Sequence, residues 1–459
     1  MSVRICYVLD AFSGDRNKDL SHAYLREMLE CLTRMDQLYL QKHPETPLLY
    51  DSGVTYQEEP PGAEDWVDIP SILKIGWGDC VPLSTLVLRD DYSFAPIAAL
   101  KPGDRIMGDG TWTSVLEGAI TGEKSILAFD LDNGGVLRCS PEHRLFMRDG
   151  SERHACDVKV GERLKAPGSA FPTSETPWDF GAIEPADFAW LVGTHIADGW
   201  VDSHETRFSI SGFDDRPKRG KVEQKQRIKA ICEKAGINAR WAPKYIEVHD
   251  AALTEVMLAC GKRAPNKHVP NLARFNSGQV RSLIEGLQTD CSVANEGTLT
   301  HGTTSEVLAL QLRVLYRMCG QSVHIKRWDE HGGLGTHPIY RVIVRRHATE
   351  DTTKAWKTRA AFMADSVGVR AIRLEEEPEL CADITTDSGR FYLPETDLVV
   401  HNCEELAAWR VAELRERYGI NAQCEFSSQR KDDGSYLYHI YVKLPDGRTE
   451  DPSRELGMI

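Results

Sequence analysis

Val399-Val400-His401-Asn402-Cys403 sets an imidazole, a carboxamide and a thiol in a row behind two β-branched residues. An asparagine side chain can attack its own backbone carbonyl and break the peptide bond that follows it. A neighbouring histidine can protonate the departing amide nitrogen, and a deprotonated cysteine is a nucleophile. Such a tripeptide is common by chance. It gains weight from Cys80, a second cysteine far upstream at the head of a segment of matching texture. Read outward from these two ends, residues 80–402 form one unit with material of a different character on either side.

From Cys80 onward the chain breaks into short β-like runs. Ser84–Leu88 is one, and Pro102-Gly103 marks a turn before Arg105–Met107. Asp109-Gly110, Asp132-Asn133-Gly134-Gly135 and Asp149-Gly150 are further turn signals. This density predicts a compact all-β domain over residues 80–182, completed by strand-like sequence within 366–402. Residues 183–365 between them read as α/β. Phe188–Gly199 and Leu283–Asp290 are both apolar, helix-like runs that reach an acid, and each precedes strand-like and helical material, at Glu223–Ala235 and Ser305–Cys319. The pattern predicts an internal duplication with a period of roughly 90 residues.

Outside the unit, residues 1–79 hold a helical stretch around Leu20–Tyr39 and a Pro/Glu-rich loop at Glu58–Gly62. Residues 403–459 open with an expected helix, Glu404–Tyr418, whose Ala407, Val411, Leu414 and Tyr418 share a face and whose stop is Gly419. The whole chain of 459 residues suggests roughly three domains. It is 41% hydrophobic and 27% charged, and it has no apolar run of the ~18 residues a membrane span needs. Met1–Cys6 does not open a signal-peptide core. Twelve cysteines without a CxxC pair argue against a zinc ribbon or a disulfide framework and for a reducing, cytoplasmic setting. A net charge of −14 excludes a chain that is basic throughout, though a local basic face remains compatible with it.

The two ends resemble the inteins of the Hedgehog/intein fold. Cys80 stands as the first residue of the intein, and Cys139-Ser140-Pro141-Glu142-His143 stands for the Thr-x-x-His motif, with Ser140 in place of Thr. Asp383-Ile384-Thr385-Thr386-Asp387 with Phe391 resembles the next motif; its usual histidine is absent and Arg390 is nearby. Val399–Cys403 matches the C-terminal junction. The resemblance implies an all-β horseshoe and protein splicing without a cofactor. Cys80 would form a thioester with Asp79, with His143 protonating the departing nitrogen and Ser140 holding the scissile amide. Asp383 would tune a thiol, Cys403 would capture the acyl chain, and Asn402 would cyclise with help from His401. Cys139 and Cys381 are left as core. Asp79, next to the scissile bond, is expected to add some premature cleavage there.

Leu191-Val192-Gly193-Thr194-His195-Ile196-Ala197-Asp198-Gly199 resembles the LAGLIDADG homing endonucleases, which implies that Gly193 lets two helices approach closely. In the second copy Asp290 is taken as the counterpart of Asp198, one residue closer to its glycine, with Cys291 where a glycine is expected. The resemblance implies Mg²⁺ on Asp198 and Asp290, Lys267 as a basic residue near the cleavage centre, and double-stranded DNA at the intein-less insertion site as partner. Arg216–Lys221, Lys225–Lys229 and Arg341–His347 are candidate phosphate-binding stretches.

Joining Asp79 to Cys403 brings Gly76–Asp79 up to Cys403-Glu404-Glu405, with His439 on a strand and Asp451-Pro452 downstream. This order resembles transglutaminase-like cysteine proteins. It implies an α+β host split in two, with Cys403 as nucleophile, His439 as base and Asp451 as its orienter. The expected product is a monomer without a membrane partner, its flanking segments acting in cis, of phage or bacterial origin. Two other emphases fit the same motifs: a host activity restored by splicing as the principal function, or a DNA endonuclease with relic splicing ends.

Overall fold

The computed structural model describes residues 22–49, 69, 80–141, 143–202, 205–209, 221–242, 245–293, 298–329, 337–344, 365–386, 388, 390–401, 407–430 and 436–450. Among the described residues no helix is long and apolar enough to cross a membrane.

The first element is α1 (His22–Lys42). Leu29, Leu32, Thr33, Asp36, Gln37 and Leu40 are all buried, and their spacing of three and four puts them on one helical face.

A body of antiparallel strands follows. Each of its three four-stranded sheets combines strands from before residue 166 with strands from after residue 365. One sheet runs Val81–Pro82, Glu379–Thr386, Trp112–Lys124, Arg105–Met107. The second runs Arg163–Lys165, Ser366–Leu374, Leu127–Leu131, Val136–Cys139. The third runs Arg390–Leu393, Leu398–His401, Arg144–Phe146, Glu152–His154. Their inward residues, among them Val81, Ile106, Phe129, Leu145, Val367, Ile384, Phe391 and Val400, form one apolar core. This body therefore closes only when the chain returns from the insert. Gly134, at φ +85, makes the turn between two of these strands, a conformation that costs glycine little.

The insert repeats one plan. Its first half is α2 (Pro185–Asp198), strands Gly199–Asp202 and Glu205–Ser209, α3 (Lys221–Ala235), strands Asn238–Trp241 and Tyr245–His249, and α4 (Ala251–Ala259). Its second half is α5 (Ser277–Leu287), strands Ser292–Val293 and Leu299–Thr303, α6 (Glu306–Met318), and strands His324–Trp328 and Ile339–Val344. In both sheets the strand order is first, second, fourth, third. Local chemistry sets the helix starts. Pro185 opens α2, Asp250 accepts from the Leu253 N–H at the start of α4, Asn276 and Gln279 close a capping box on α5, and Ser305 caps α6 through the Leu308 N–H. One apolar core joins α2, α5 and α6 to Leu88, Met107 and Tyr392 of the strand body, so the insert shares its interior with the domain that holds it.

The last helix is α7 (Ala407–Tyr418), followed by strands Gln423–Arg430, Tyr436–Lys443 and Thr449–Glu450 in one sheet. Val411, Leu414, Ala422 and Val442 are its core. Tyr418, expected on the packed face, is 52% exposed; it lies in the final turn, just before Gly419 at φ +64 ends the helix. The two terminal segments form one unit. Arg415 makes a two-bond pair with Glu30, at 2.7 and 2.8 Å, and buried Glu413 accepts from the Leu49 N–H at 3.1 Å.

Candidate functional site

Two strand ladders bring the ends of the 80–402 unit towards one turn. Val81 pairs with Ala382 and Pro82 with Cys381, and continuing that register sets Cys80 opposite Asp383. Cys80 is buried beside Ile126 and Cys381. Its carbonyl accepts a hydrogen bond from the Ser140 N–H at 3.0 Å. The His143 N–H in turn reaches the Ser140 carbonyl at 3.1 Å, and the Ala155 N–H reaches the His143 carbonyl at 2.7 Å. Ser140, His143 and Asp383 are all buried, and Asp383 accepts from the Ile384 N–H at 2.8 Å. Ser140 was expected to hold the scissile amide; the bond its N–H makes is to the carbonyl on the other side of Cys80.

The other end arrives on the neighbouring sheet. Val400 pairs with Leu145, which brings His401 opposite Arg144, the residue after His143; on its other edge His401 pairs with Arg390. The Arg390 guanidinium lies 4.6 Å from the Phe146 ring centroid and 3.7 Å from the Asp109 carboxylate. Asp79, the His401 side chain, Asn402 and Cys403 lie outside the described residues. Burial and Glu379 push the Cys381 thiol up to about 11, so it stays protonated at neutral pH, as a core residue does.

In the insert, α2 and α5 cross at two glycines. A Cβ on Gly193 would run into the Leu283 carbonyl and sit 2.9 Å from the Leu287 nitrogen; one on Gly286 would run into the Trp190 carbonyl and sit 2.8 Å from the Thr194 nitrogen. Residues 190 and 283, 193 and 286, and 194 and 287 thus match in pairs, each 93 apart. That register carries Asp198 onto Cys291. Asp290 is therefore not the counterpart of Asp198. α2 stays helical through Asp198, whereas α5 ends at Leu287 and passes into a 3₁₀ turn, Gln288–Asp290, which leaves Asp290 exposed.

At the matching position Cys291 Sγ lies 3.1 Å from His301 Nδ1. His301 Nε2 lies 2.9 Å from the Tyr316 hydroxyl, which accepts from Gln288 Nε2 at 3.0 Å. Burial, with Asp290 nearby, pushes the Cys291 thiol up to about 12, and burial pulls His301 down to about 4. The pair is neutral at physiological pH. It lines a cavity of about 350 Å³ with Lys267, Asp290, Thr303 and Thr304. Lys267 points its ammonium at the end of α2, donating to the His195 carbonyl at 3.3 Å and the Gly199 carbonyl at 3.0 Å. Burial lowers its pKa.

Magnesium takes hard oxygen donors in near-octahedral array. The first half supplies Asp198; the second supplies a protonated sulfur at the same place. Among the described residues no cluster of three or more His, Cys, Asp and Glu side chains is placed to hold a metal. The donor set does not fit an ion shared by two carboxylates.

The two sheets of the insert present different faces. On the first, Arg207 is paired with Asp202, with Glu205 at 3.2 Å and with Glu247 at 3.0 Å. On the second, Lys326 stands opposite Arg341, both exposed, and Arg341 lies 3.9 Å from the Trp328 ring centroid. Of the candidate basic stretches, residues 211–220 and 345–347 lie outside the described residues. Lys225 and Lys229 stand 4.7 and 5.9 Å from the Trp241 ring centroid. Arg227, half-exposed, pairs with Asp187 at 3.3 Å and with exposed Glu285 at 2.8 Å; it ties α3 to α2 and α5.

His439 has its backbone in the Tyr436–Lys443 strand, opposite Ser427. Its side chain, Cys403 and Asp451 lie outside the described residues. Sequence reasoning missed Arg313 and Arg317, buried in α6. The available signal was two arginines four residues apart in a run that is otherwise almost wholly apolar, Leu308–Met318; a helix apolar on every side is a buried one.

Solved structures give partial likenesses. The gp41-1 intein matches at 23% identity over 19% of this chain and 67% of its own, with a TM-score of 0.18; a substituted form of it matches at 23% over 19% and 68%, with 0.18. A variant of the Ssp DnaB mini-intein matches at 16% over 21% of this chain and 66% of its own, with 0.19. No family profile and no curated protein matches the chain. Likenesses at these scores carry no argument about function.

Proposed function

We propose that residues 80–402 excise themselves and join Asp79 to Cys403 by protein splicing. One observation carries the reading: the ladder from Val81 and the ladder from Val400 lead both ends of the unit to the Ser140–Arg144 turn. Cys80 Sγ attacks the Asp79 carbonyl carbon, the C–N bond breaks and the nitrogen takes up a proton, leaving a thioester. His143, in the turn that holds the Cys80 carbonyl, is the donor; Asp383, opposite Cys80, is the acceptor that tunes the thiol. Cys403 Sγ attacks the thioester carbon and Cys80 departs as a thiolate. The Asn402 side-chain nitrogen then attacks the Asn402 carbonyl carbon, closing a succinimide and releasing the Cys403 amine, which His401 protonates on leaving. That amine, once neutral, takes the acyl group from its own sulfur. A reducing compartment such as the cytoplasm suits these thiols.

Intact mass after expression tests this. Splicing yields a 323-residue fragment and a joined product of 136 residues. Cys80→Ala blocks ligation, and Asn402→Ala stalls the chain after acyl transfer with the unit still attached. A wild-type chain that persists at 459 residues sinks the proposal.

The insert is read as a monomeric duplex-DNA-binding unit on the strength of its Lys326, Arg341 and Trp328 face. The terminal segments are read as halves of one α+β host, supported by the packing of α1 with α7. Its transglutaminase-like chemistry, through Cys403, His439 and Asp451, rests on sequence resemblance and arises only after joining.

A further inference from the structure

The turn that launches the last strand of the splicing body, Pro394–Asp397, is held by the insert. From α6, Arg313 Nη1 donates to the Pro394 and Glu395 carbonyls, each at 2.6 Å. Arg317 grips Asp397 through two parallel bonds, Nε to Oδ1 at 2.8 Å and Nη2 to Oδ2 at 2.7 Å, with both side chains almost wholly buried. Its Nη1 donates to the Pro167 carbonyl at 3.0 Å. The Tyr392 hydroxyl donates to Asp397 Oδ1 at 3.0 Å. Asp397 sits at φ +61, a left-handed conformation that a residue with a Cβ keeps only where its surroundings fix it.

A second clamp lies alongside. The Ile325 N–H from the insert donates to the Asn133 carbonyl at 2.9 Å, and Asn133 Nδ2 donates to the Thr396 carbonyl at 2.7 Å. Gly134 leaves room for the Ile325 carbonyl, which a Cβ there would strike. The strand Leu398–His401 begins one residue after Asp397. The N-terminal junction, by contrast, hangs on the Val81–Ala382 ladder of the splicing body itself.

From these contacts we infer that Arg313 and Arg317 are positioning residues for the C-terminal half of the excision reaction. They fix the turn that sets the register of Leu398–His401, and through it the approach of His401 and Asn402. The insert is thus a working part of the splicing body rather than a passenger. The inference rests on the proposed excision. Bidentate guanidinium geometry is what the site uses, so lysine at 317 retains the charge and loses the fork. Loosening the turn misplaces the C-terminal junction while the thioester at Cys80 still forms.

The test follows two rates in the full-length chain by mass. Dithiothreitol releases residues 1–79 from the thioester, and Asn402 cyclisation releases residues 403–459. In Arg317→Met the second rate falls by about 10- to 100-fold while the first stays within about twofold, because a misplacement of about 1 Å suffices for losses of that order. Arg317→Lys and Arg313→Met fall between Arg317→Met and wild type. Parallel loss of both rates, or an unchanged cyclisation rate in Arg317→Met and Arg317→Lys, overturns the inference. A wild-type chain that shows neither cleavage removes the excision reading, and this inference with it.

Discussion

Asp198 and Cys291 stand at matching ends of the two crossing helices, yet one is a carboxylate and the other a thiol bonded to His301. The sheets behind them differ in the same spirit. Arg207 on the first face is surrounded by three carboxylates, while Lys326 and Arg341 on the second are open to solvent beside Trp328. The helices that follow the second strand differ too. α3 reaches its neighbours through Arg227 in partly exposed ion pairs; α6 reaches the strand body through two buried arginines. The plan of elements is held in common, and so is the axis, where two backbones touch and no side chain fits. A duplicated scaffold keeps its plan when the contact that defines it is backbone on backbone, and everything further out is free to take on separate tasks.

Breaking the axis is therefore the largest effect expected. Gly193→Ala and Gly286→Ala each place a methyl against a facing carbonyl and amide, and each costs about 3 kcal/mol or more, the top of the overpacking range. Denaturant unfolding of the full chain, kept whole by Cys80→Ala together with Asn402→Ala, measures this. Equal losses sharpen the twofold; a silent Gly286→Ala breaks it.

How far sequence reads this molecule follows the same line between local and distant causes. The Asn133-Gly134 turn, the stop at Gly419 and the antiparallel strand texture are legible because each is decided within a few residues. The second copy's register is not: Asp290 and Cys291 are adjacent, and only the Gly193–Gly286 contact chooses between them. Arg227 reads as a phosphate ligand and is a strut between helices, because Asp187 and Glu285, which hold it, lie 40 and 58 residues away in sequence. Arg317 is harder still, since Asp397 is 80 residues away in a different domain. A charge on a helix looks solvated until its partner is known.

Acid should separate the two halves next. Burial, with Lys267 nearby, pulls His195 down to about 3 from an ordinary 6.5, and burial pulls His301 down to about 4. Both folded values lie below that of the unfolded chain. The unfolded state then takes up protons first, so the stability is present above about 6.5 and is lost as pH falls towards 4. Each imidazole accounts for about 2.5 kcal/mol between pH 7.5 and 4.5, from 1.36 kcal/mol per unit. Urea midpoints at the two pH values give the loss. His301→Gln, which cannot titrate, removes that imidazole's share, and an undiminished loss in that variant assigns the acid sensitivity to the other buried imidazoles, His195 and His324, the latter also pulled down by burial to about 4.

The smallest effect is at the faces, and it asks whether the asymmetry reaches function. Arg341 is exposed opposite Lys326; if it meets one phosphate, Arg341→Ala lowers the slope of log K against log salt by about 0.9 and weakens duplex binding by about 1 kcal/mol. Arg207 is already neutralised by Asp202, Glu205 and Glu247, so Arg207→Ala leaves both quantities unchanged. Fluorescence anisotropy with a duplex of the joined insertion site, at several salt concentrations, measures the pair. Equal weakening by the two variants means that DNA displaces the carboxylates around Arg207 and that both faces bind. The division between the halves would then be confined to their interior, at Cys291 and His301 on one side and Asp198 on the other, and the open charge of the second face would be a feature of the free protein only.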